Sequence, residues 1–246
     1  MKSIELIAFK DPKSSAAEVY KTLRTNIRFT SFQKDIKTIV FTSTAPNEGK
    51  STVVANLGIT MAQAGCKVLI IDGDLRNPSV HKNFLLQNSF GLTNILMEND
   101  PYKSYIQTTE VKNLDVILCG PKPPNPSELL GSSEMKDLLL KLKEDYDYIL
   151  IDTPPATFVT DAALLASISD GTILVIASGE TVIQGAIRAK ELLQNVGANI
   201  LGVVHNKVKD HKSTRYYNYY NYNISESDKL QKGKKRSLSN PGVTHV

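Results

Sequence analysis

Residues Ser43 to Thr52 read S-T-A-P-N-E-G-K-S-T, after the apolar run Thr38-Ile39-Val40-Phe41 and before a run of helical character from Thr52 to Ala64. A strand that breaks into a turn at Gly49 and opens a helix at Lys50-Ser51-Thr52 is the context a phosphate-binding P-loop requires. The expected cradle runs through Pro46, Asn47, Glu48, Gly49, Lys50, Ser51 and Thr52. Backbone N–H groups and the helix dipole face the anion there, Lys50 reaches the outer phosphates, and the Ser51 hydroxyl can hold Mg²⁺. Thr44 stands where the general pattern G-x-x-x-x-G-K-[ST] has its first Gly. An ordinary strand-to-helix turn is the competing reading, and it weakens as acidic motifs accumulate further along the chain.

Two acidic strand ends follow. Lys67 to Asp72 (K-V-L-I-I-D) reads as a buried parallel strand running into D-G-D-L-R, which puts Asp72, Asp74 and Arg76 past its carboxyl edge. In open α/β sheets that edge is where ligands bind. Asp72 and Asp74 are two apart, so they share a site only if Gly73 interrupts the strand. The second element is Tyr148 to Asp152 (Y-I-L-I-D), followed by Thr153-Pro154-Pro155. Four apolar positions and a terminal Asp make a Walker B type strand whose carboxylate binds Mg²⁺ directly or through water; plain turn chemistry is the alternative.

The rest of the chain alternates strand and helix. Residues 1 to 13 read as an extended arm, and Ser14 to Arg28 as a helix with Ala17, Tyr20, Leu23 and Ile27 on one face. Glu18, Lys21, Arg24 and Arg28 form the opposite face, either solvated or a subunit interface. Gly91 to Met97 reads as a helical turn and Asp115 to Leu118 as a short strand. A proline-rich loop (C-G-P-K-P-P-N-P) then leads to a helix from Pro126 or Ser127 to Lys143, and it is read as a rigid turn or as part of the nucleotide site. A helix at Asp161–Ser167, a strand at Gly171–Ala177, a helix at Val182–Asn195 and a strand at Asn199–His205 complete an α/β chain, a mostly parallel sheet with helices on both faces. Asn206, at the last strand's end, either reads a base edge with its amide or closes a turn.

At 246 residues the chain is long enough for one large α/β domain, assigned to residues 1–207 with a separate tail at 208–246. A formal charge of +4, with much of the basic excess near the C-terminus, does not indicate global nucleic-acid binding. Cys66 and Cys119 have no motif spacing and read as reduced core thiols of a cytosolic protein. No run approaches the length of a membrane span.

In the tail, residues 215 to 223 read R-Y-Y-N-Y-Y-N-Y-N and hold five of the ten tyrosines: Tyr216, Tyr217, Tyr219, Tyr220 and Tyr222. No buried-face period runs through them, so a flexible segment is expected. The ten residues from Asn206 to Tyr216 span at most about 33 to 36 Å, enough to bring a phenol to an active site. Three readings stand: a low-complexity tail, an aromatic platform for single-stranded nucleic acid, and a cluster of phosphate acceptors. Arg215 as the cluster's one cation counts against the second. The basic run beyond it, Lys229 to Arg236, reads as a solvated tail or a lipid contact.

The P-loop P-N-E-G-K-S, the motif V-L-I-I-D-G-D-L-R, the motif Y-I-L-I-D-T-P-P and the terminal tyrosine cluster, in that order, resemble the bacterial tyrosine kinases (BY-kinases) of capsule and exopolysaccharide synthesis in their cytoplasmic, separate-chain form. The resemblance covers residues 18 to 222. It implies a P-loop NTPase fold related to MinD and ParA, with ATP and Mg²⁺ as cofactors. It implies that Lys50 and Ser51 bind phosphates and metal, that Asp74 and Asp152 organise the metal, and that Asp72 accepts the phenol proton. The tail tyrosines are then autophosphorylated in trans within a homo-oligomeric ring. A membrane-embedded activator of the polysaccharide co-polymerase type, a cognate tyrosine phosphatase and other protein substrates are the implied partners, with no nucleic acid expected, and the chain works in the cytoplasm at the inner face of the membrane.

Where the family carries E-x-x-R-x-x-R for oligomerisation, this chain has Glu18, Lys21 and Arg24, and lysine lacks the planar fork of arginine. Asn47 replaces the usual Gly and tolerates left-handed geometry. The MinD/ParA signature lysine falls at Ala45, so its absence argues against that branch. A MinD/ParA-like ATPase and a non-catalytic nucleotide-dependent adaptor of an export complex remain the alternatives.

Overall fold

The structure, a computed structural model, describes residues 5–98 and 100–208, without the side chains of 31–34. The expected flexible tail with its five tyrosines lies outside the described residues. Seven strands are present among the described residues: β1 (Thr38–Ser43), β2 (Val68–Asp72), β3 (Gln107–Thr108), β4 (Leu114–Ile117), β5 (Tyr148–Asp152), β6 (Gly171–Ala177) and β7 (Ile200–Asn206). They form one sheet in the order β3-β4-β2-β5-β1-β6-β7. All neighbours pair in parallel except the two-residue β3, which is antiparallel to β4 at one edge. That edge strand has no sequence signal, because two residues are too few for an alternation to show.

Parallel strands bury both faces, and successive side chains alternate between them. Ile39, Phe41, Val68, Ile70 and Leu150 join one apolar cluster, and Val40, Leu69, Ile71, Ile149 and Ile151 the other. The first cluster is covered by α1 (Ile7–Lys10), α2 (Ser15–Lys34), α3 (Lys50–Gln63) and α4 (Val80–Phe84). The second is covered by α5 (Leu92–Glu98), α6 (Pro126–Leu130), α7 (Ser133–Asp145) and α8 (Asp161–Ser167), with Leu193 of α9 (Ile183–Asn195). The alternation has a direct consequence for function. Position 72 continues the 68 and 70 series and position 152 continues 150, so both strand-terminal carboxylates face the side on which α3 lies.

Three local expectations change. Residues 7–10 of the supposed extended arm form the single turn α1, fixed from outside: Ala8 N–H donates to Asn56 Oδ1 (2.9 Å) and Gln63 Nε2 donates to the Ala8 carbonyl (3.0 Å). The expected long helix after Pro126 is two helices. It stops at Gly131, and Ser132 caps α7 by accepting from Met135 N–H (3.3 Å). Cys119 is buried as expected, but Cys66 is only half-buried.

The phosphate-loop helix lies flush on the sheet. A Cβ added at Gly58 of α3 would lie 2.8 Å from Ile70 Cδ1 and 3.4 Å from Leu114 Cδ1. Overpacking of this kind typically costs about 1–3 kcal/mol. Gly58→Val is expected to lower stability by about that amount in equilibrium denaturation, whereas Gly58→Ala, which meets only flexible side-chain ends, should cost less.

Candidate nucleotide and phosphoryl-transfer site

The loop from Ser43 to Thr52 holds its shape by turning one of its own side chains inward. Glu48 is buried, and its carboxylate accepts from Thr44 N–H (2.7 Å), Thr44 Oγ1 (2.6 Å) and Ala45 N–H (3.0 Å), and also from the Thr181 hydroxyl. Thr44 therefore supplies a hydroxyl anchor, and its φ is negative, so no Gly is required there. The left-handed positions are Asn47 (φ 65) and Gly49 (φ 86). Asn47 adopts the conformation expected of it. A Cβ at Gly49 would also lie 2.1 Å from Asn206 Nδ2, so the Asn206 amide would have to shift. Asn206 sits beneath the loop at the end of β7 and donates that amide to the Glu48 carbonyl (2.9 Å). The Glu48 carboxylate and the Asn206 amide thus bear on the loop, while its backbone lines a cleft of about 610 Å³.

The acidic residues form two layers. Asp72 and Asp152 are in register on the adjacent strands β2 and β5 and are fully buried beneath the cleft. Lys50 reaches down to Asp152 (Nζ to Oδ1, 2.7 Å). Asp72 Oδ2 accepts from Ser79 N–H and Val80 N–H, each at 3.0 Å. Asp72 Oδ1 and Asp152 Oδ2 are buried with no hydrogen-bond partner among the described residues. Above them Asp74 lines the cleft and accepts from Asn77 N–H (2.9 Å), and Ser51 Oγ accepts from Ser79 Oγ (2.8 Å). Gly73 is needed for space rather than for a left-handed turn: its N–H donates to the Asp152 carbonyl (2.8 Å), and a Cβ would stand 2.9 Å from that oxygen.

Three carboxylates face one ammonium here. Burial, and next the neighbouring Asp152 carboxylate, push the Asp72 carboxyl up to about 7, and burial also raises Asp74. Two orphaned buried carboxylate oxygens beside a serine hydroxyl suit a hard divalent cation. Among the described residues no cluster of three or more His, Cys, Asp or Glu could hold a metal by itself.

Lys50, Ser51 and Asp74 thus meet in the cleft, with Asp72 and Asp152 in its floor. Glu18, Lys21 and Arg24 lie elsewhere, on α2. Lys21 pairs with Glu18 (2.7 Å), and Arg24 Nη1 donates to the Thr60 carbonyl of α3 (2.7 Å). The tyrosine cluster lies outside the described residues. The site list drawn from the sequence omits Ser79, which holds Ser51, and Thr181, which holds Glu48; neither belongs to a motif. It also omits Asp161, which ties down Arg76.

The raised Asp72 carboxyl makes the site a cost to the unliganded fold. Between its ordinary value of 3.8 and about 7 the folded state holds a proton that the unfolded state has released, so stability falls as pH rises through that window. Asp72→Asn is expected to melt at a higher temperature than the parent chain at pH 8, without nucleotide or divalent cation, and the difference should vanish near pH 4 in thermal scans.

The chain is similar in sequence and in fold to known proteins. The family model described as an AAA domain matches residues 36–202. Tyrosine-protein kinase YwqD of Bacillus subtilis is 45% identical over 86% of this chain and 90% of its own length. The putative tyrosine-protein kinase CapB of Staphylococcus aureus is 43% identical over 85% of this chain and 92% of its own. Among solved structures, the chimerical protein CapA2B2 is 40% identical with a TM-score of 0.81, covering 85% of this chain and 92% of that one. The kinase domain of the Escherichia coli tyrosine kinase ETK is 33% identical with a TM-score of 0.82, covering 86% and 84%. The cell-division ATPase MinD of Pyrococcus furiosus has a TM-score of 0.59 at 25% identity over 69% and 71%, which places the fold among the P-loop NTPases. On this sequence identity over most of its length, the chain belongs to the family of bacterial tyrosine-protein kinases.

Proposed function

We propose that this kinase transfers the γ-phosphoryl group of ATP to the tyrosines of its own C-terminal cluster, Tyr216, Tyr217, Tyr219, Tyr220 and Tyr222, in trans within a homo-oligomer. The observation that carries the reading is the in-register pair Asp72 and Asp152 beneath Lys50 and Ser51. Phosphoryl transfer asks mainly for positioning and charge neutralisation, which a loop, a lysine and a carboxylate cluster supply.

In this reading the N–H groups of the loop from Pro46 to Thr52 hold the phosphates, and Lys50 donates to the outer ones. Asn206 contributes through the loop that it ties down. Ser51, Asp74 and Asp152 would hold Mg²⁺, which would supply charge neutralisation at the phosphate oxygens. The phenol oxygen forms the new bond to the γ-phosphorus as the bond to the β,γ-bridging oxygen breaks, and that electron pair leaves with ADP. Asp72, in the floor of the cleft, takes the phenol proton; a phenol with an unperturbed pKa near 10 needs such an acceptor.

Glu18, Lys21 and Arg24 of α2 contribute to the contact between subunits. An activator held in the membrane recruits the chain to the inner face and promotes the ring, a tyrosine phosphatase resets it, and the cycle regulates capsular or exopolysaccharide synthesis and export. Among the described residues no helix is long and apolar enough to cross a membrane, so anchoring is assigned to the partner.

Labelled ATP tests the reading. The full chain, alone and with the activator's cytoplasmic segment, is expected to form phosphotyrosine in the tail, and Lys50→Met should reduce it by roughly 10²–10³-fold. Free phosphate without phosphotyrosine would instead mark a MinD-like ATPase, and neither product an adaptor. Full phosphorylation of the cluster adds about −7.5 to −10 charges to a chain of formal charge +4. Native mass spectrometry should therefore find the phosphorylated form less oligomeric than the five-fold Tyr→Phe form.

A further inference from the structure

The wall of the cleft opposite the phosphate loop carries a built cationic device that the functions above leave unused. Asp161, in the first turn of α8, is fully buried. Its carboxylate takes Arg76 in a two-pronged pair, Nε to Oδ2 at 2.8 Å and Nη2 to Oδ1 at 3.0 Å. Ser127 of α6 closes the cluster, its hydroxyl donating to Asp161 Oδ1 (2.7 Å) and accepting from Arg76 Nη2 (2.9 Å). Nε and Nη2 are thus committed, the guanidinium plane is fixed by three segments of chain, and Nη1 is the remaining nitrogen of the fork. The Arg76 side chain nevertheless stays 41% exposed and lines the same cleft as Lys50, Ser51 and Asp74.

The sheet order says which part of a bound nucleotide this group meets. Along the carboxyl edge the strands run β7, β6, β1, β5, β2, with Lys207 beyond β7 and Arg76 beyond β2 at opposite ends of the cleft. The phosphate loop lies between them, and every acidic residue of the cluster, Asp152, Asp72 and Asp74, lies on the β5 and β2 side. The terminal phosphoryl belongs on that side. Lys82 also lines the cleft, but among the described residues no carboxylate pairs with it. An arginine pinned by a buried carboxylate loses little freedom when it grips an anion, and its planar fork suits phosphoryl oxygens better than an ammonium does.

We propose that Arg76 is a further catalytic residue, contacting the oxygens of the γ-phosphoryl group through Nη1 as it passes from ATP to the acceptor, and that Asp161 and Ser127 are positioning residues that hold its guanidinium in place. Arg76 neither gives nor takes a proton. It balances charge on the equatorial oxygens while the bond to the bridging oxygen breaks and the bond to the acceptor oxygen forms. The inference rests on ATP being the substrate, but not on which acceptor oxygen is used.

The test compares Arg76→Ala, Arg76→Lys, Asp161→Asn and Ser127→Ala in the full chain, measuring phosphotyrosine, released phosphate, and affinity for ADP and for a non-hydrolysable triphosphate. Arg76→Ala and Arg76→Lys are expected to lower kcat by roughly 10–10³-fold, as loss of a charge-stabilising donor does, while ADP affinity stays within about threefold and the triphosphate binds more weakly. Asp161→Asn and Ser127→Ala should give smaller losses, and added methylguanidine should restore part of the Arg76→Ala rate. Turnover of Arg76→Ala within about threefold of the parent, or equal losses for ADP and triphosphate, would overturn the proposal. Arg76→Lys keeps a cation against Asp161 and so gives a reading even if the alanine variant fails to fold. If the parent chain releases phosphate without phosphotyrosine, the kinase reading fails, and the Arg76 comparison is still read on phosphate release.

Discussion

The ion pair between Lys50 and Asp152 joins the two halves of the site. It links the first residue of the phosphate-loop helix to the last residue of the Walker B strand over 2.7 Å, in the buried floor of the cleft. A buried pair of this kind contributes little net stability against an apolar alternative, and breaking it costs several kcal/mol because a charge is left behind. Its presence makes sense as function. Lys50 already occupies an acidic cluster that a divalent cation and a phosphate chain would share, and Asp72 and Asp152, side by side on parallel strands, leave two oxygens with no partner among the described residues. The fold accepts an unfavourable charge density at its carboxyl edge, and burial, and next that charge, raise the Asp72 carboxyl.

The loop above that floor is held by the opposite strategy. The buried carboxylate of Glu48 is surrounded by donors from Thr44, Ala45 and Thr181, and its backbone carbonyl is held by Asn206. The loop is thereby pinned to the β6 to α9 connection and to the end of β7 before any ligand arrives. Preorganised donors of this kind need not be rearranged when charge develops on a substrate. The same logic applies at Arg76, where a buried carboxylate again fixes the group that faces the cleft. Carboxylates thus serve two ends here: those left short of partners suit a cation, and those fully partnered hold the scaffold.

Much of the fold was legible because buried parallel strands and amphipathic helices repeat with fixed periods. β5, β6 and α8 fall on the residues expected, and the placement of Lys50, Ser51, Asp74 and Asp152 at one edge of the sheet could be read from motifs that need a strand before them and a helix or turn after them. The misplacements have different physical origins. The turn α1 exists because Asn56 and Gln63 of α3 bind its backbone, which no local pattern in residues 1–13 records. The break between α6 and α7 rests on Gly131 and Ser132, and a continuous apolar period masks it. Asn206, read as meeting a base edge or closing a turn, donates its amide to a loop more than 150 residues earlier in the chain.

By itself the sequence determined the parallel α/β class, the phosphate loop and the acidic strand ends, since all three depend on short-range spacing and on which residues can bury their side chains. Only the tertiary structure decided which carboxylates share a layer. That depends on the crossover that inserts β5 between β1 and β2, and so brings Asp152 into register with Asp72 from 80 residues away. It also decided that Glu48 turns inward and that Asp161 fixes Arg76, because a hydrogen-bond partner for a buried charge is set by which loops meet in space and carries no spacing along the chain.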